Sequence, residues 1–313
     1  MRVLIVGAGA VGQVFGSHLA RGGAHVGFLV KPAYAAEARA GYTLYPLNAR
    51  GAPATRFTDF EVLTAPSGAW DQIYITVSST ALHSGTWLAE LAAACPTATL
   101  VPLQPGLDDH AAVVAAAGGA ERVVAGAIGF LSYHAPLPGE TRFATPGMAY
   151  WFFPTQKSPF SGPRADAVVA ALRAGGLPAK VVRDVGAEVA FPSALLSALV
   201  AALEASGWSF AALRRENARV GARAAREAMA VVANVLGVRA PLGPRLAARA
   251  FVFRAITRLA PIFAPVDVEA YMKSHFTKVG DQMHGSLRDY ATRGRAAALD
   301  VSALDELANR LPP

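Results

Sequence analysis

Apolar positions dominate the start of the chain. Residues 2–6, Arg-Val-Leu-Ile-Val, form an uninterrupted run of the kind a strand buried on both faces requires. Helical spacing follows over Val11 to Arg21, and a second apolar run covers His25 to Val30. The same alternation continues through the first half of the chain. Strands are predicted at Asp71 to Val77, Ala98 to Pro102, Val123 to Ser132, Arg142 to Phe153 and Ala179 to Val182, with helices from about Ala81 and over Ala165 to Ala174. Such alternation predicts one doubly wound parallel sheet whose ligands lie at the carboxyl ends of its strands. Near Asp184 the period changes. Helical spacing then dominates over Ala187 to Ser206, Phe210 to Leu236, Arg245 to Ile262 and Val266 to Arg293, with breaks at Gly207, Gly237, Gly243-Pro244 and between Pro261 and Pro265.

The first strand runs directly into Gly7-Ala8-Gly9-Ala10-Val11-Gly12. Gly7 allows a tight turn and Gly9 lets the backbone approach a pyrophosphate. Gly12 lets a helix beginning near Ala10 pack closely on the sheet, with its first N–H groups facing the phosphates. A GxGxxG alone marks only a tight turn. Set between an apolar strand, a helix and a second strand, it reads as a Rossmann dinucleotide site. The expected fold is therefore an α/β Rossmann-type domain with a parallel sheet over residues 1–183, followed by an all-α domain over 184–313.

The end of the second strand discriminates between dinucleotides. An Asp or Glu about twenty residues after the glycines holds the ribose 2′-hydroxyl of NAD, whereas a cation there accommodates the 2′-phosphate of NADP. No acidic residue occurs before Glu37, and Lys31 closes the strand in Phe28-Leu29-Val30-Lys31-Pro32. The expected cofactor is NADP, paired with Lys31.

Composition narrows the class. At 313 residues the chain exceeds one comfortable core, and 53% hydrophobic against 16% charged residues describes a well-buried globular protein. The net charge of +7 is shared between the halves, roughly +3 before residue 184 and about +4 after it. Arg215, Arg219 and Arg223 recur along one helical face without a zinc, helix-turn-helix or aromatic-ladder motif, so nucleic acid is not an expected partner. The single Cys95 excludes a disulfide framework and fits a reducing compartment. A structural N-terminus argues against a secretory leader, and the apolar stretch from Val189 to Leu203 is too short and too rich in serine for a membrane span. A cytoplasmic protein with no metal site and no membrane partner is expected.

The order of several short motifs resembles 2-dehydropantoate 2-reductase, or ketopantoate reductase, and its family. The Gly7 to Gly12 turn and Lys31 carry the likeness first. Leu103-Gln104-Pro105-Gly106-Leu107 is similar to the family's Leu-Gln-Asn-Gly-Leu turn. Glu227 to Val238 is similar to its helix ending in Gly-Val. Ser286-Leu287-Arg288-Asp289 with Arg293-Gly294-Arg295 is similar to its Ser-Met-x-x-Asp and Gly-Arg-Pro-Thr-Glu signature. The resemblance implies a nucleotide-binding domain, a helical domain, a cleft between them and a small-molecule substrate, with a homodimer as a possible assembly. It extends the cofactor contacts from Gly7, Gly9, Ala10, Val11, Gly12 and Lys31 to Val77, Ser78 and Gln104.

Departures from that pattern are informative. The family's acid catalyst is a lysine early in the first C-terminal helix, followed by two asparagines at successive i+4 positions. Those places fall here on Ser193, Ser197 and Ala201, and no lysine occurs between Lys180 and Lys273. The lysine of the family's Val-Lys-Ala turn falls at Ser78, the asparagine of its Gln-Asn-Gly turn at Pro105 and the glutamate of Thr-Glu at Ala298. Reduction of ketopantoate by the family's own mechanism is not expected.

Helical geometry suggests a replacement. Ser193, Ser197 and Glu204 share one face, and Glu204 is the only acid in the apolar run from Ala194 to Ala205. A carboxyl in such a run is a candidate proton donor or acceptor, the alternative being a helix-end partner of an arginine such as Arg214. His284 is a second candidate acid, the alternative being a packing histidine. Ser286 matches a retained position that the resemblance assigns to substrate contact, and Asp289 one that it assigns to helix support. Tyr133-His134, ending a strand, could face the cleft or pack a loop. The chain stops soon after Asp300, so no closing helices are expected. The expected function is an NADP-dependent oxidoreductase acting on a less charged carbonyl, imine or hydroxy compound. The alternative is a catalytically silent NADP-binding sensor or scaffold.

Overall fold

The structure is a computed structural model that describes residues 1–311 apart from residue 279, with residues 281 and 282 described by backbone only. Position 279, inside the helix expected over 266–293, lies outside the described residues. The chain divides into two compact units, Met1–Gly186 and Ala187–Pro313.

The first unit begins β1 (Arg2–Val6), α1 (Ala10–Arg21) and β2 (His25–Leu29). A short helix α2 (Ala35–Arg39) then leads to β3 (Tyr42–Pro46), β4 (Thr55–Phe57), β5 (Glu61–Leu63) and β6 (Gln72–Ile75). Beyond it lie α3 (Ser79–Leu82), α4 (Trp87–Ala94), β7 (Thr99–Pro102), α5 (Asp109–Ala117), β8 (Ala125–Gly126), β9 (Phe130–Ala135) and β10 (Gly147–Phe152). The unit finishes with β11 (Ser158–Ser161), α6 (Ala165–Ala174) and β12 (Ala179–Val181).

Five strands form a wholly parallel sheet in the order β5-β2-β1-β6-β7. Alternation along β1 decides what each face carries. Val3 and Ile5 point to a core with Phe15, Phe28 and Leu172, while Leu4 and Val6 point to another with Ile73, Leu91 and Leu100. The central strand is thus apolar at consecutive positions because helices cover both of its faces.

The single sheet expected for this half is three sheets. Besides the parallel one there is a four-stranded sheet, β4-β3-β10-β9, and a three-stranded one, β12-β11-β8. The apolar run 123–132, expected as one strand, is split between them. Gly126 packs where a Cβ would fall 2.4 Å from the Phe160 ring, and Gly129 where one would fall 2.5 Å from the Ser158 nitrogen. Residues before the bend pair with β11, and residues after it pair with β10. Tyr133 and His134 lie within β9: Tyr133 is buried and donates from its hydroxyl to Glu140, while His134 is exposed.

The second unit is helical: α7 (Val185–Glu204), α8 (Phe210–Ala212), a π-helical turn Leu213–Asn217, α9 (Ala218–Leu236), α10 (Leu242–Ala247), α11 (Ala250–Phe263), α12 (Val268–Lys278), α13 (Gly280–Ala296) and α14 (Ser302–Ala308). Helix α9 lies at its centre, against α11, α13 and α14. Alanine and glycine allow close approach there: a Cβ on Gly221 would fall 2.7 Å from that of Ala202 on α7. The helix expected over 245–262 breaks at Ala248. Its carbonyl, which a continuing helix would offer to Val252, accepts from Arg226 instead. The tail after Asp300, expected to carry no closing helix, forms α14, whose first amides at Ala303 and Leu304 donate to the Glu227 carboxylate. By length and composition α7 would be long and apolar enough to cross a membrane, and half of that window is buried inside the protein.

Candidate functional site

Sequence and geometry agree at the turn after β1. Gly7 has φ +96°, and its amide donates to the Leu29 carbonyl at 3.0 Å, which joins the turn to the end of β2. A Cβ on Gly12 would fall 2.1 Å from the Gly7 carbonyl oxygen, so α1 starts as close to the sheet as backbone permits. Thr76 donates to both the Val6 and Gly7 carbonyls, at 2.9 and 2.7 Å. Gly9 is the N-cap of α1, and a Cβ there would meet nothing within 4 Å. No side chain caps α1 and no acid lies in its first turn, so the amides of Ala10, Val11 and Gly12 begin a helix whose positive end is uncompensated. Open space above Gly9 and an uncapped helix start fit the pyrophosphate of a dinucleotide.

Lys31 follows β2, exposed, with extended backbone and no ion pair among the described residues. Glu61 on the neighbouring strand β5, paired with Gly27 in register, is engaged by Arg2 and His25, which hold its carboxylate at 2.8 and 2.9 Å. At the ends of β6 and β7, two residues expected to touch cofactor act chiefly on backbone. Ser78 caps α3 by accepting from the Ala81 amide at 3.2 Å. Gln104 donates to the Ile75 and Val77 carbonyls at 3.0 and 2.7 Å and accepts from the Leu103 amide, which ties the two strand ends together.

In the helical unit the structure brings two candidates into one pair. Glu204 Oε2, at the end of α7, lies 2.9 Å from His284 Nε2 on α13, with the two side chains only 13% and 23% exposed. Arg214, the alternative partner, donates instead to the Thr257 carbonyl. Ser197 is buried on the same face of α7 and Ser193 half-buried one turn before it. Ser286 is half-buried two residues beyond His284. Asp289 accepts from Arg293 Nε at 2.8 and 2.9 Å, an intrahelical pair in α13.

Residues 3–152 match the family model for ketopantoate reductase PanE/ApbA. The match covers most of the N-terminal unit and just under half of the chain. The whole chain shares the fold of solved ketopantoate reductases. A PanE/ApbA family ketopantoate reductase from Ralstonia eutropha JMP134 superposes with a TM-score of 0.72 at 22% identity, covering 99% of this chain and 96% of that one. The 2-dehydropantoate 2-reductase of Geobacter metallireducens GS-15 gives 0.71 at 17% identity, with 99% of each chain covered. D-mandelate dehydrogenase in a ternary structure with NADH and anilino(oxo)acetate gives 0.73 at 14% identity, with 99% and 97% covered. No curated protein sequence matches the chain.

On this ketopantoate reductase fold the carboxyl edge of the sheet carries a polar cluster that sequence patterning missed. Asp109, only 3% exposed at the start of α5, accepts from Ser79 Oγ and the Gly106 amide, both at 2.7 Å, and its other oxygen lies 2.7 Å from His83 Nε2. The partners are 30, 3 and 26 residues away, so no local motif announces them. The only available signal was Asp109 itself, an acid just inside a helix after Gly106. Among the described residues no group of three or more His, Cys, Asp or Glu is arranged to hold a metal.

Proposed function

We propose that the chain is an NADP-dependent oxidoreductase of the ketopantoate reductase family, acting on a carbonyl, imine or hydroxy compound less charged than ketopantoate. The observation that carries this reading is the open, uncapped start of α1 together with an exposed Lys31 after β2 that has no ion pair among the described residues. The amides of Ala10, Val11 and Gly12 bind the pyrophosphate, and the Lys31 ammonium pairs with the ribose 2′-phosphate. Thr76 and Gln104 hold the strand ends that form the floor. The dinucleotide, when bound, supplies or accepts the hydride. The Glu204–His284 pair holds the proton that reduction of a carbonyl also consumes, shared across 2.9 Å between Nε2 and Oε2 and replenished from water. Ser193 and Ser197, where the resemblance expects a lysine and an amide, favour a substrate without a carboxylate to neutralise.

The decisive experiment is a screen of NADPH oxidation by the purified chain against ketones, imines and 2-keto acids, with the reverse reaction tested on hydroxy compounds. Turnover of an uncharged carbonyl or imine supports the reading. NADPH binding without turnover of any of them would leave the silent binding protein in its place. The cofactor assignment is tested by calorimetry: NADPH is expected to bind at least tenfold more tightly than NADH, about 1.4 kcal/mol from one charge-assisted contact, and Lys31→Glu to reverse the order. Equal affinities in the parent chain would refute it.

A further inference from the structure

A groove of about 840 Å³ lies wholly within the helical unit, between one face of α9 and the segment that carries α10. Its floor is apolar because Met229, Ala230 and Ala233 fall on one face of α9. Leu242 and Leu246 on α10 form a wall, and they are 68% and 49% exposed although neither is near a chain end. Two leucines in water beside an apolar floor are surface that a ligand with an apolar body would cover.

Charge completes the picture. Arg226, Arg239, Arg245 and Arg249 all line this groove, and none of the four forms an ion pair among the described residues. Arg226 is fixed by donating from Nη1 to the Ala222 and Ala248 carbonyls, at 3.2 and 3.0 Å. Among the described residues no acidic side chain lines the groove. Four guanidinium groups around one apolar concavity repel one another until an anion enters, and the planar fork of arginine matches a carboxylate. Arginines elsewhere in this unit do find acids: Arg295 pairs with Asp305, Arg310 with Glu306 and Arg293 with Asp289. What sets the groove apart is that four such cations line one apolar concavity.

We propose that the groove binds a free amphiphilic anion, a medium- or long-chain carboxylate whose tail covers Leu242, Leu246 and Ala230 while its head meets the arginines. This site is separate from the Glu204–His284 pair and does not depend on the oxidoreductase reading.

The test is calorimetric titration of the full chain with dodecanoate below its micellar concentration, with dodecanol and inorganic phosphate as half-ligands. Dodecanoate is expected to bind once per chain and at least tenfold more tightly than either. The double charge reversal Arg245→Glu with Arg249→Glu is expected to weaken it at least tenfold, and so is Leu246→Asp, with the helical circular dichroism unchanged. If either variant fails to fold, Arg239→Ala, at an exposed loop position, is expected to cost about threefold. Dodecanoate affinity unaltered in the folded variants overturns the proposal. So does binding to anionic vesicles with no binding of free dodecanoate, which would make the groove a membrane contact. A doubled mass that Leu246→Asp abolishes, with no carboxylate bound, would make it a surface for a second copy and overturn the proposal equally.

Discussion

His18 shows how much one side chain controls. It is buried on α1, with Nδ1 2.9 Å from the Gly175 carbonyl oxygen and 2.6 Å from Arg21 Nη2, while Nε2 has no partner. Burial first, and then the Arg21 charge, lower its pKa from 6.5 to about 4. A folded-state pKa below the unfolded one means that the unfolded chain takes up the proton first. The stabilisation is complete above pH 6.5 and is lost as pH falls from there through about 4, by up to about 3 kcal/mol. Urea titrations at pH 7.5 and 5 should show the loss in the parent and a smaller one in His18→Leu; equal losses would acquit the imidazole. Two glycines separate fold from ligand in the same way. Gly12→Ala, with its Cβ against backbone, is expected to cost about 1–3 kcal/mol of stability and most of the dinucleotide affinity. Gly9→Ala has room for its methyl, so it should fold normally and lose affinity alone. A Gly9→Ala chain that bound NADPH as the parent does would show that the ligand passes elsewhere. Local chemistry of this kind is legible in sequence, because Gly7, Gly12 and Lys31 act within thirty residues of the first strand. Asp109 and His83 were not legible, since their meeting depends on two strands lying side by side.

Helices carry the next prediction. Glu204 was recognisable as the only acid in an apolar run and His284 as a histidine near Ser286 and one turn from Arg288, but their pairing spans 80 positions and needs α7 packed on α13. Glu204→Gln keeps a hydrogen-bonding shape and removes the charge. It is expected to cut turnover about a hundredfold while NADPH affinity changes by less than about threefold. A parallel fall in both would mean that the pair supports the helices and holds no catalytic proton. Helix α14 depends on a second long-range contact. Glu227→Ala removes the acceptor for its first amides and is expected to destabilise the chain by about 1–2 kcal/mol, measured by thermal denaturation. Elements were legible where a long period survived, as in α1, α6 and α9. They were missed where tertiary contacts overrode it: at Ala248, whose carbonyl Arg226 takes, and at Gly126 to Gly129, where close packing divides one apolar run between two sheets.

For the whole chain, ligand and fold should be linked. NADPH at a hundred times its dissociation constant is expected to stabilise the protein by about 2.7 kcal/mol, visible as a concentration-dependent rise in Tm. Ketopantoate turnover is expected at least a thousandfold below that of a family member with its lysine, because general acid catalysis and charge stabilisation are each worth about two to four decades. A robust ketopantoate-dependent rate would overturn the alignment that sets Ser193 in the lysine's place. The Asp109 cluster bears on how such a ligand is received. One carboxylate fastens the Gly106 amide, the Ser79 hydroxyl and the His83 ring, so two loops from different strands are anchored to a single point. Their ordering entropy is spent during folding, before any dinucleotide arrives. Amide exchange in the two loops should then slow together and change little on saturation, the signature of a rim assembled in advance and not moulded by its guest.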